Sequence, residues 1–425
     1  MSQLDRDRWR KTYAESIDVE DVYRLASSHN MNKHCRTFRE PESGSFNVCF
    51  FVTFPSDGRK WVVRFPIGPV LHDPGRKIQS EIATISYLKR NTTIPVPEIY
   101  GYGIGASNDT SITGRPYLIL EYVSGRPLNS DDLLTCSADA SRLFYTQLAS
   151  ILSQLRIQEF DYSGSLATDA EGKTILISPQ SIDSNSVKLH NEQGTFNQRP
   201  KSAIEFAHFS YQVLFDRLSQ PAEMDEDDAR HEVFALMDYR ERLLNHVDSS
   251  SKTFVLTHGD LRPSNIIVDE DLTIKAIIDW EWSCTVPRQF FIPPLWLAGN
   301  DVPLSFDNAY NLEYSKFHRA LTKAAESDPA CRILANEWAP NLSASLDLYL
   351  PAAVLRHENF TNIYYKFLFP RYFRGINRRE KIREFLEEDV QSGTFSTAIH
   401  RKLEASRVYQ QIFCDQLASR KESDV

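Results

Sequence analysis

With 425 residues, 41% apolar and 25% charged, the chain has the composition of an ordinary globular protein that can bury a large core. Its net charge of −9 at pH 7 argues against a general nucleic-acid binder, because a phosphate backbone would repel it. A cationic small molecule is compatible with the same charge.

Cysteine usage and hydropathy predict the compartment. The six cysteines occur singly, without a CxxC pair or zinc-ligand spacing, which favours reduced thiols over a disulfide framework. The charged segment 1–10 has no apolar signal-peptide run, and no stretch is long enough to span a membrane. We therefore expect a cytoplasmic protein without membrane or nucleic-acid partners, present as a monomer or weak dimer.

Residues 1–125 predict a small antiparallel sheet that carries one helix. The β-branched and aromatic runs Phe46–Phe54 and Trp61–Phe65 flank a Pro-Ser-Asp-Gly turn and predict a hairpin. Apolar residues at helical spacing predict a helix over Lys77–Arg90, and two prolines soon after it prevent its continuation. Two further strands are predicted at Ile99–Ile104 and Pro116–Glu121.

After Gly125 the pattern becomes mainly helical. A buried amphipathic helix is predicted over Ala140–Leu155, whereas the polar segment 163–200 predicts a long loop or insertion. Helical patterns return over 203–218 and 228–247, and again from about residue 289 to 419. A unit of short strands between Thr253 and Ile278 interrupts them. A sheet with one helix, followed by a mostly helical region, indicates the α+β class.

The interrupting strand unit contains the residues that point to chemistry. A buried strand leads into His258-Gly259-Asp260-Leu261-Arg262-Pro263-Ser264-Asn265, and the following hairpin ends at Asp279. Because the two ends of a hairpin are neighbours, Asn265 and Asp279 are expected to meet, with Asp260 beside them. Two oxygen ligands and a nearby carboxylate suit a magnesium nucleotide that faces an acceptor hydroxyl. The alternative is a chance match, since such residues are common in turns.

Together with Ile278-Asp279-Trp280-Glu281 and Pro293–Leu297, this loop resembles the signature of the kinase-like aminoglycoside phosphotransferase superfamily, especially its fungal branch. The resemblance implies a protein-kinase-like, two-lobed α+β fold. Residues 1–125 would be a nucleotide-binding N-lobe, and residues 126–425 a helical C-lobe with the catalytic loop and substrate site. It also implies that Asp260 orients or deprotonates the acceptor hydroxyl, while Asn265 and Asp279 hold Mg²⁺ on ATP.

The resemblance assigns two backbone segments to nucleotide binding. Its phosphate-covering loop falls within residues 42–47, on Ser43-Gly44-Ser45, although a single glycine with small neighbours more often marks an ordinary turn. Its hinge falls on Glu121-Tyr122-Val123, where the backbone of Glu121 and Val123 would bond the adenine. A strand end followed by a turn explains that segment equally well.

Arg64 and Glu81 form the predicted phosphate grip. Arg64 occupies the strand position at which kinases carry a lysine, and its planar guanidinium makes this a departure from the family pattern. Helical spacing places Glu81 inside the apolar stripe, where a carboxylate needs a cationic partner. Arg64 is the natural candidate, matching the strand–helix ion pair of kinases. The alternative is that Glu81 reaches solvent at the helix edge.

Three functions follow from these predictions. The first is an ATP-dependent kinase of a small-molecule hydroxyl, with aminoglycosides, choline-like amines, sugars and secondary metabolites all open as acceptors. The second is a catalytically silent relative that binds nucleotide or a partner. The third, a protein kinase, fits worst, because Ile-Asp-Trp stands where Asp-Phe-Gly is expected and no activation segment is visible.

Overall fold

The computed structural model describes residues 3–104, 112–129, 131–169, 171–190, 198–220, 222–299, 307–388 and 393–423. The strands are β1 (Arg36–Ser43), β2 (Asn47–Thr53), β3 (Lys60–Pro66), β4 (Ile99–Gly103), β5 (Tyr117–Glu121), β6 (Arg126–Pro127), β7 (Glu159–Phe160), β8 (Ser165–Thr168), β9 (Thr174–Ile177), β10 (Phe254–Thr257), β11 (Ile266–Val268), β12 (Ile274–Ile277) and β13 (Cys284–Pro287).

The helices are α1 (Gln3–Glu15), α2 (Val19–Ser28), α3 (Pro74–Asn91), α4 (Asp132–Thr135), α5 (Ala138–Arg156), α6 (Ile182–His190), α7 (Ala203–Leu218), α8 (Glu226–His246), α9 (Asp307–Ala324), α10 (Pro329–Glu337), α11 (Leu346–Leu355), α12 (Phe360–Ile363), α13 (Phe369–Tyr372), α14 (Arg378–Glu388) and α15 (Thr394–Ser423).

The chain folds into two compact units. The first consists of Met1–Arg199 and Thr253–Pro340, and the second of Pro200–Lys252 and Asn341–Val425. The predicted lobe boundary near residue 125 falls inside the first unit, so that boundary stays a prediction. The five cysteines with described side chains are free thiols; the side chain of Cys414 lies outside the described set.

The first unit begins with a five-stranded antiparallel sheet of order β1-β2-β3-β5-β4. The predicted hairpin is confirmed as β2 and β3, in which Cys49 lies opposite Arg64. One helix, α3, connects the third strand to the fourth. The predicted α+β class, with a small antiparallel sheet that carries one helix, is confirmed.

Apolar side chains of α2 and of the sheet form a core on one side of the strands. Val22, Leu25 and Ala26 of α2 lie in the same buried cluster as Val52, Trp61 and other sheet residues. Asp18 starts α2 by accepting a hydrogen bond from the Glu20 amide at 3.0 Å. This helix shields one face of the sheet from water, and Trp282, from much later in the chain, belongs to the same cluster.

Helix α3 begins three residues before the predicted start. Asp73 caps it by accepting from the Arg76 amide at 2.9 Å, and Pro74 occupies the first turn, where a missing N–H costs nothing. Lys89 and Arg90 lie in the last turn, near the negative end of the helix dipole. The buried face of α3 includes two charged residues, Lys77 and Glu81.

Two features of the first unit differ from the sequence prediction. Strand β1 was not predicted, because it is an edge strand with a largely exposed, polar sequence. The prediction of a loop over 163–200 is wrong for the described part, which contains the β8–β9 hairpin and α6; residues 170 and 191–197 lie outside it. The buried serines of this segment form hydrogen bonds within the protein. The Ser163 hydroxyl, for example, donates to the Thr285 carbonyl at 2.8 Å.

Two small sheets and the helices α5, α9 and α10 also belong to the first unit. The sheets have the orders β13-β10-β7 and β12-β11-β6. Helix α5 packs against α9 and α10, and polar pairs join them: the Tyr145 hydroxyl donates to Glu313 at 2.7 Å, and the Arg156 guanidinium bonds Glu337. Helix α5 also packs against β10.

The second unit contains the helices α7, α8 and α11 to α15. Asp225 caps α8 by accepting from the Asp228 amide at 2.8 Å. Glu232 of α8 forms a largely buried ion pair with Lys402 of α15. Aromatic packing fills the interior of this unit, including a stacked pair of Tyr349 and Phe367 with ring centroids 4.0 Å apart.

Candidate active site

The chain enters the candidate site from β10 and returns to it through β11 and β12. Asn265 closes a short 3-10 turn immediately before β11, and Asp279 follows β12. Ile266 pairs with Ile277, and the Ile278 N–H donates to the Asn265 carbonyl at 3.0 Å. The two ends of the hairpin therefore lie side by side, with the Asp260 loop joined to one of them.

Two residues with positive φ shape the loop. Gly259 has φ +79°, and a Cβ at this position would lie 2.0 Å from the Trp282 carbonyl oxygen. Only glycine fits there, because any other side chain would push the 258–260 segment away from the 280–283 turn. Asp279 is in the left-handed region with φ 68° and ψ 49°, a conformation that needs support from its surroundings in a residue other than glycine.

His258 connects the two halves of the loop as a buried, neutral imidazole. Its Nε2 lies 2.8 Å from the Ile278 carbonyl oxygen, and its Nδ1 accepts from the Asp260 amide at 3.3 Å. These contacts define the tautomer with the proton on Nε2. Burial lowers the pKa of His258, and the hydrogen bond to Ile278 opposes only part of that shift. The histidine therefore joins the Asp260 amide, through hydrogen bonds, to the carbonyl of the residue before Asp279.

Asp260 is almost fully buried and is held from two sides. Its Oδ1 accepts from Nε of Arg262 at 2.9 Å and from the Nη2 of the same guanidinium. The Asn265 amide donates to the Asp260 carbonyl at 2.8 Å and lies 3.5 Å from its Oδ2. With its nitrogen engaged in this way, Asn265 keeps Oδ1 as the oxygen that can serve a cation.

The indole of Trp296 anchors the same loop from outside. Its N–H donates to the Leu261 carbonyl at 2.6 Å, and the side chain is buried. Trp296 belongs to the segment Pro293–Leu297 that the sequence analysis associated with the family signature. The neighbouring Trp280, Glu281 and Trp282 are all buried as well.

Arg64 joins the sheet, helix α3 and the Asp279 turn. One terminal nitrogen bonds the Glu81 carboxylate, and the other donates to Asp279 Oδ1 at 2.6 Å. The Arg64 and Glu81 side chains are only 6% and 1% exposed, whereas Asp279 is 35% exposed. The ion pair expected from the position of Glu81 is thus present. It extends to a second carboxylate, which the sequence did not indicate.

A second polar group, formed by Lys77, Glu281 and Asn47, lies beside the group around Arg64. The sequence analysis did not predict it. Nζ of Lys77 donates to the Glu281 carbonyl at 2.5 Å and lies 3.0 Å from the centroid of the Trp282 ring. The Asn47 amide donates to Glu281 Oε1 at 2.9 Å. The spacing in the sequence indicates that Lys77 is buried, because it lies one helical turn before Glu81 and so shares its face of α3.

Burial controls the protonation of this second group. It lowers the pKa of Lys77 to about 7, and the Glu281 carboxylate opposes part of that shift. Burial also raises the pKa of Glu281, and the nearby Asp279 carboxylate adds to the rise.

The segment predicted to cover phosphates forms the turn between β1 and β2. Ser43, Gly44 and Ser45 are exposed, and the Gly44 amide donates to the Asn47 carbonyl at 2.8 Å. Nε of Arg10 donates to the Ser45 carbonyl at 3.0 Å. Asn47 begins β2 directly after this turn, so the turn is joined to Glu281 through the Asn47 side chain.

The predicted hinge segment follows β5. Glu121 ends that strand, and its Oε2 accepts from the Glu98 amide at 3.2 Å. Val123 is partly buried, two residues before Gly125. Gly125 has φ +140°, and a Cβ there would lie 2.6 Å from the Val268 carbonyl oxygen. The predicted hinge segment therefore passes against β11, which is the strand that follows Asn265.

A family profile described as the phosphotransferase enzyme family matches residues 37–324. The chain belongs to this phosphotransferase family. The prediction of a phosphotransferase enzyme of the aminoglycoside phosphotransferase type is thereby confirmed at the level of the family, while the fungal branch stays a prediction.

Individual relatives of the phosphotransferase are distant. It is 24% identical over 233 residues to clavilactone A biosynthesis cluster protein Y of Ampulloclitocybe clavipes, covering 53% of this chain and 54% of that protein. It is 27% identical over 133 residues to a subtelomeric hrmA-associated cluster protein of Aspergillus fumigatus, covering 31% of this chain and 25% of that one. The chain thus spans about half or less of the length of these relatives.

Solved structures similar to the phosphotransferase include the GDP complex of wild-type aminoglycoside 2′-phosphotransferase-IIIa. It has 15% identity and a TM-score of 0.45, with 88% of this chain and 98% of that one covered. An ethanolamine kinase of Plasmodium vivax has 15% identity and a TM-score of 0.42, with 84% and 86% covered.

Within the described ranges, no helix has the length and apolar character needed to cross a membrane. Among the same residues, no three His, Cys, Asp or Glu side chains group closely enough to hold a metal by themselves. A magnesium site built from one carboxylate, one amide oxygen and the phosphates of a nucleotide needs no such group.

Proposed function

We propose that the protein transfers the γ-phosphoryl group of ATP to a hydroxyl of a small molecule. The observation that carries this proposal is the hydrogen-bonded unit of Asp260, Asn265 and the turn at Asp279. The Asn265 amide bonds Asp260, and the Asn265 carbonyl accepts from the residue before Asp279. One group for the acceptor hydroxyl and two oxygen ligands are thus held together, which is the arrangement that phosphoryl transfer needs.

The charge of the site supports a divalent cation. Glu81 and Asp279 share the single cation of Arg64. Arg262 balances Asp260. One negative charge is left over beside the partly exposed Asp279 carboxylate, so Asn265 and Asp279 fit Mg²⁺ by both charge and ligand chemistry. When bound, Mg²⁺ would neutralise part of the charge on the triphosphate.

The remaining roles in the proposal belong to the chain's own residues. Asp260 accepts a hydrogen bond from the acceptor hydroxyl and orients its oxygen toward the γ-phosphorus. Arg64, held in place by Glu81, supplies positive charge toward the phosphates. The turn of Ser43, Gly44 and Ser45 would cover the triphosphate with backbone amides, and the backbone of Glu121 and Val123 would bond the adenine. This assignment keeps residues 1–125 as the nucleotide-binding part and residues 126–425 as the substrate-binding part.

The proposed acceptor is a neutral or cationic small molecule. The net charge of −9 favours such an acceptor over an anionic one. Nucleic acid and membranes are not proposed as partners, and the location expected from cysteine usage remains the cytoplasm.

A screen of acceptors tests the proposal. Purified protein is incubated with Mg²⁺ and either ATP or GTP across a set of hydroxylated amines, sugars and aminoglycosides, and both the nucleoside diphosphate and the phosphorylated acceptor are measured by mass spectrometry. We expect at least one acceptor to gain a phosphoryl group with ATP, and EDTA to abolish the reaction. Magnesium-dependent ATP binding without transfer to any acceptor would favour the catalytically silent alternative.

A further inference from the structure

The peptide that follows Asp279 is held by a buried lysine from another element. Lys77 is 4% exposed, and its Nζ donates to the Glu281 carbonyl at 2.5 Å while it lies over the Trp282 ring. A backbone carbonyl has no freedom of its own, so this contact fixes the orientation of the peptide between residues 281 and 282. That peptide is two residues from Asp279.

Asn47 also contacts the turn that contains Asp279 and Glu281. Its amide nitrogen bonds Glu281 Oε1 at 2.9 Å, and its own Oδ1 is buried without a hydrogen-bond partner among the described residues. The Nε1 of Trp282 is also buried without a hydrogen-bond partner among the described residues. Glu281 therefore joins α3, the start of β2 and the Asp279 turn, in a polar group that is not fully satisfied by the protein.

A packing role alone does not explain a lysine at this position. Burying an ammonium group costs considerably more than burying a methionine of similar length, which would fill the same space beside Trp282. What lysine adds is a donor for one particular carbonyl. That carbonyl belongs to the turn in which Asp279 adopts φ 68°, a conformation that is unfavourable for a residue with a side chain unless its neighbours enforce it.

We propose that Lys77 is a positioning residue that holds the Asp279 turn in its left-handed conformation and so determines how tightly the site binds a divalent cation with nucleotide. Glu281 and Asn47 connect this constraint to the phosphate-covering turn. The inference rests on the proposed function, because it needs Asp279 to be a metal ligand. It adds a role for Lys77 that is separate from the grip of Arg64 and Glu81.

Binding of a fluorescent ATP analogue, titrated with Mg²⁺, tests the role of Lys77. Lys77→Met removes the donor and keeps the aliphatic stem. We expect it to raise the Mg²⁺ concentration for half-maximal binding by about tenfold, the equivalent of one lost hydrogen bond worth about 1.4 kcal/mol. Binding in EDTA should change by less than about twofold, because the phosphate grip is intact.

Two further variants complete the experiment. Lys77→Gln keeps an N–H donor and should change the Mg²⁺ requirement in the same direction by less, so the test survives if the methionine variant does not fold. Lys89→Met is the matched control. Lys89 lies on the same helix, where it pairs with Glu98 near the surface, and its loss should leave the Mg²⁺ requirement unchanged.

The possible outcomes separate this inference from the function on which it rests. If Lys77→Met shows the wild-type Mg²⁺ requirement, or weakens binding equally with and without Mg²⁺, Lys77 is not a positioning residue for the metal site. If folded wild-type protein shows no Mg²⁺-dependent nucleotide binding at all, the proposed function fails, and the inference fails with it.

Discussion

Replacement of Asp260 by asparagine is expected to lower kcat for phosphoryl transfer by about a thousandfold while the protein still folds. Asparagine keeps the size of the side chain, but it removes the carboxylate that would accept a hydrogen bond from the acceptor hydroxyl. The second Asp260 oxygen lies 3.5 Å from the Asn265 amide, and the first is occupied by Arg262. The measurement is steady-state formation of ADP with the best acceptor of the screen.

The matched control for that experiment is Asp269→Asn. Asp269 lies in the turn of the same hairpin, pairs with Lys275, and accepts from the Thr273 amide at 2.9 Å. Asparagine can keep the latter hydrogen bond, so kcat should stay within about twofold of wild type. Wild-type kcat in the folded Asp260→Asn variant would remove Asp260 from the chemistry and leave the family assignment without a mechanism in this chain.

Replacement of Arg64 by methionine is expected to destabilise the first unit by about 3–5 kcal/mol. The change leaves Glu81, which is 1% exposed, without its cation. Asp279 is partly hydrated, so most of the loss should arise from Glu81. Urea unfolding followed by tryptophan emission measures the effect.

A double variant distinguishes loss of the ion pair from loss of packing. Replacing both charged partners, as Arg64→Met with Glu81→Leu, should recover much of the stability, because no buried charge is then left unpaired. Arg24→Met serves as the control, since Arg24 pairs with Asp21 at the surface and should contribute less than about 1 kcal/mol. A double variant no more stable than Arg64→Met alone would show that the guanidinium acts mainly by packing.

Local patterns predicted the parts of the fold that depend on neighbouring residues. The β2–β3 hairpin and helix α3 follow from alternating and helical apolar spacing around clear turn and proline signals. The meeting of Asn265 with the Asp279 turn follows in the same way, because the two ends of one short hairpin have to be neighbours. In each case the partners are close in sequence or joined by a short connection.

The features that the sequence did not reveal depend on distant contacts. The hairpin of β8 and β9 follows the buried residues Ser163 and Gly164, whose polar groups bond Thr285, more than a hundred positions away in the chain. Helical spacing places Lys77 on the same face of α3 as Glu81, but the spacing alone does not identify the groups that Lys77 contacts. It is buried because Glu281 and Trp282 arrive from the other end of the first unit.

Magnesium-dependent binding of ATP, compared between Asp260→Asn and Asp279→Asn, tests the central claim most directly. If Asp260 serves the acceptor hydroxyl and Asp279 serves the metal, Asp260→Asn binds ATP with the wild-type Mg²⁺ requirement, whereas Asp279→Asn loses the Mg²⁺ dependence. Equal behaviour of the two folded variants, whether both keep the dependence or both lose it, would contradict the division of roles at this site.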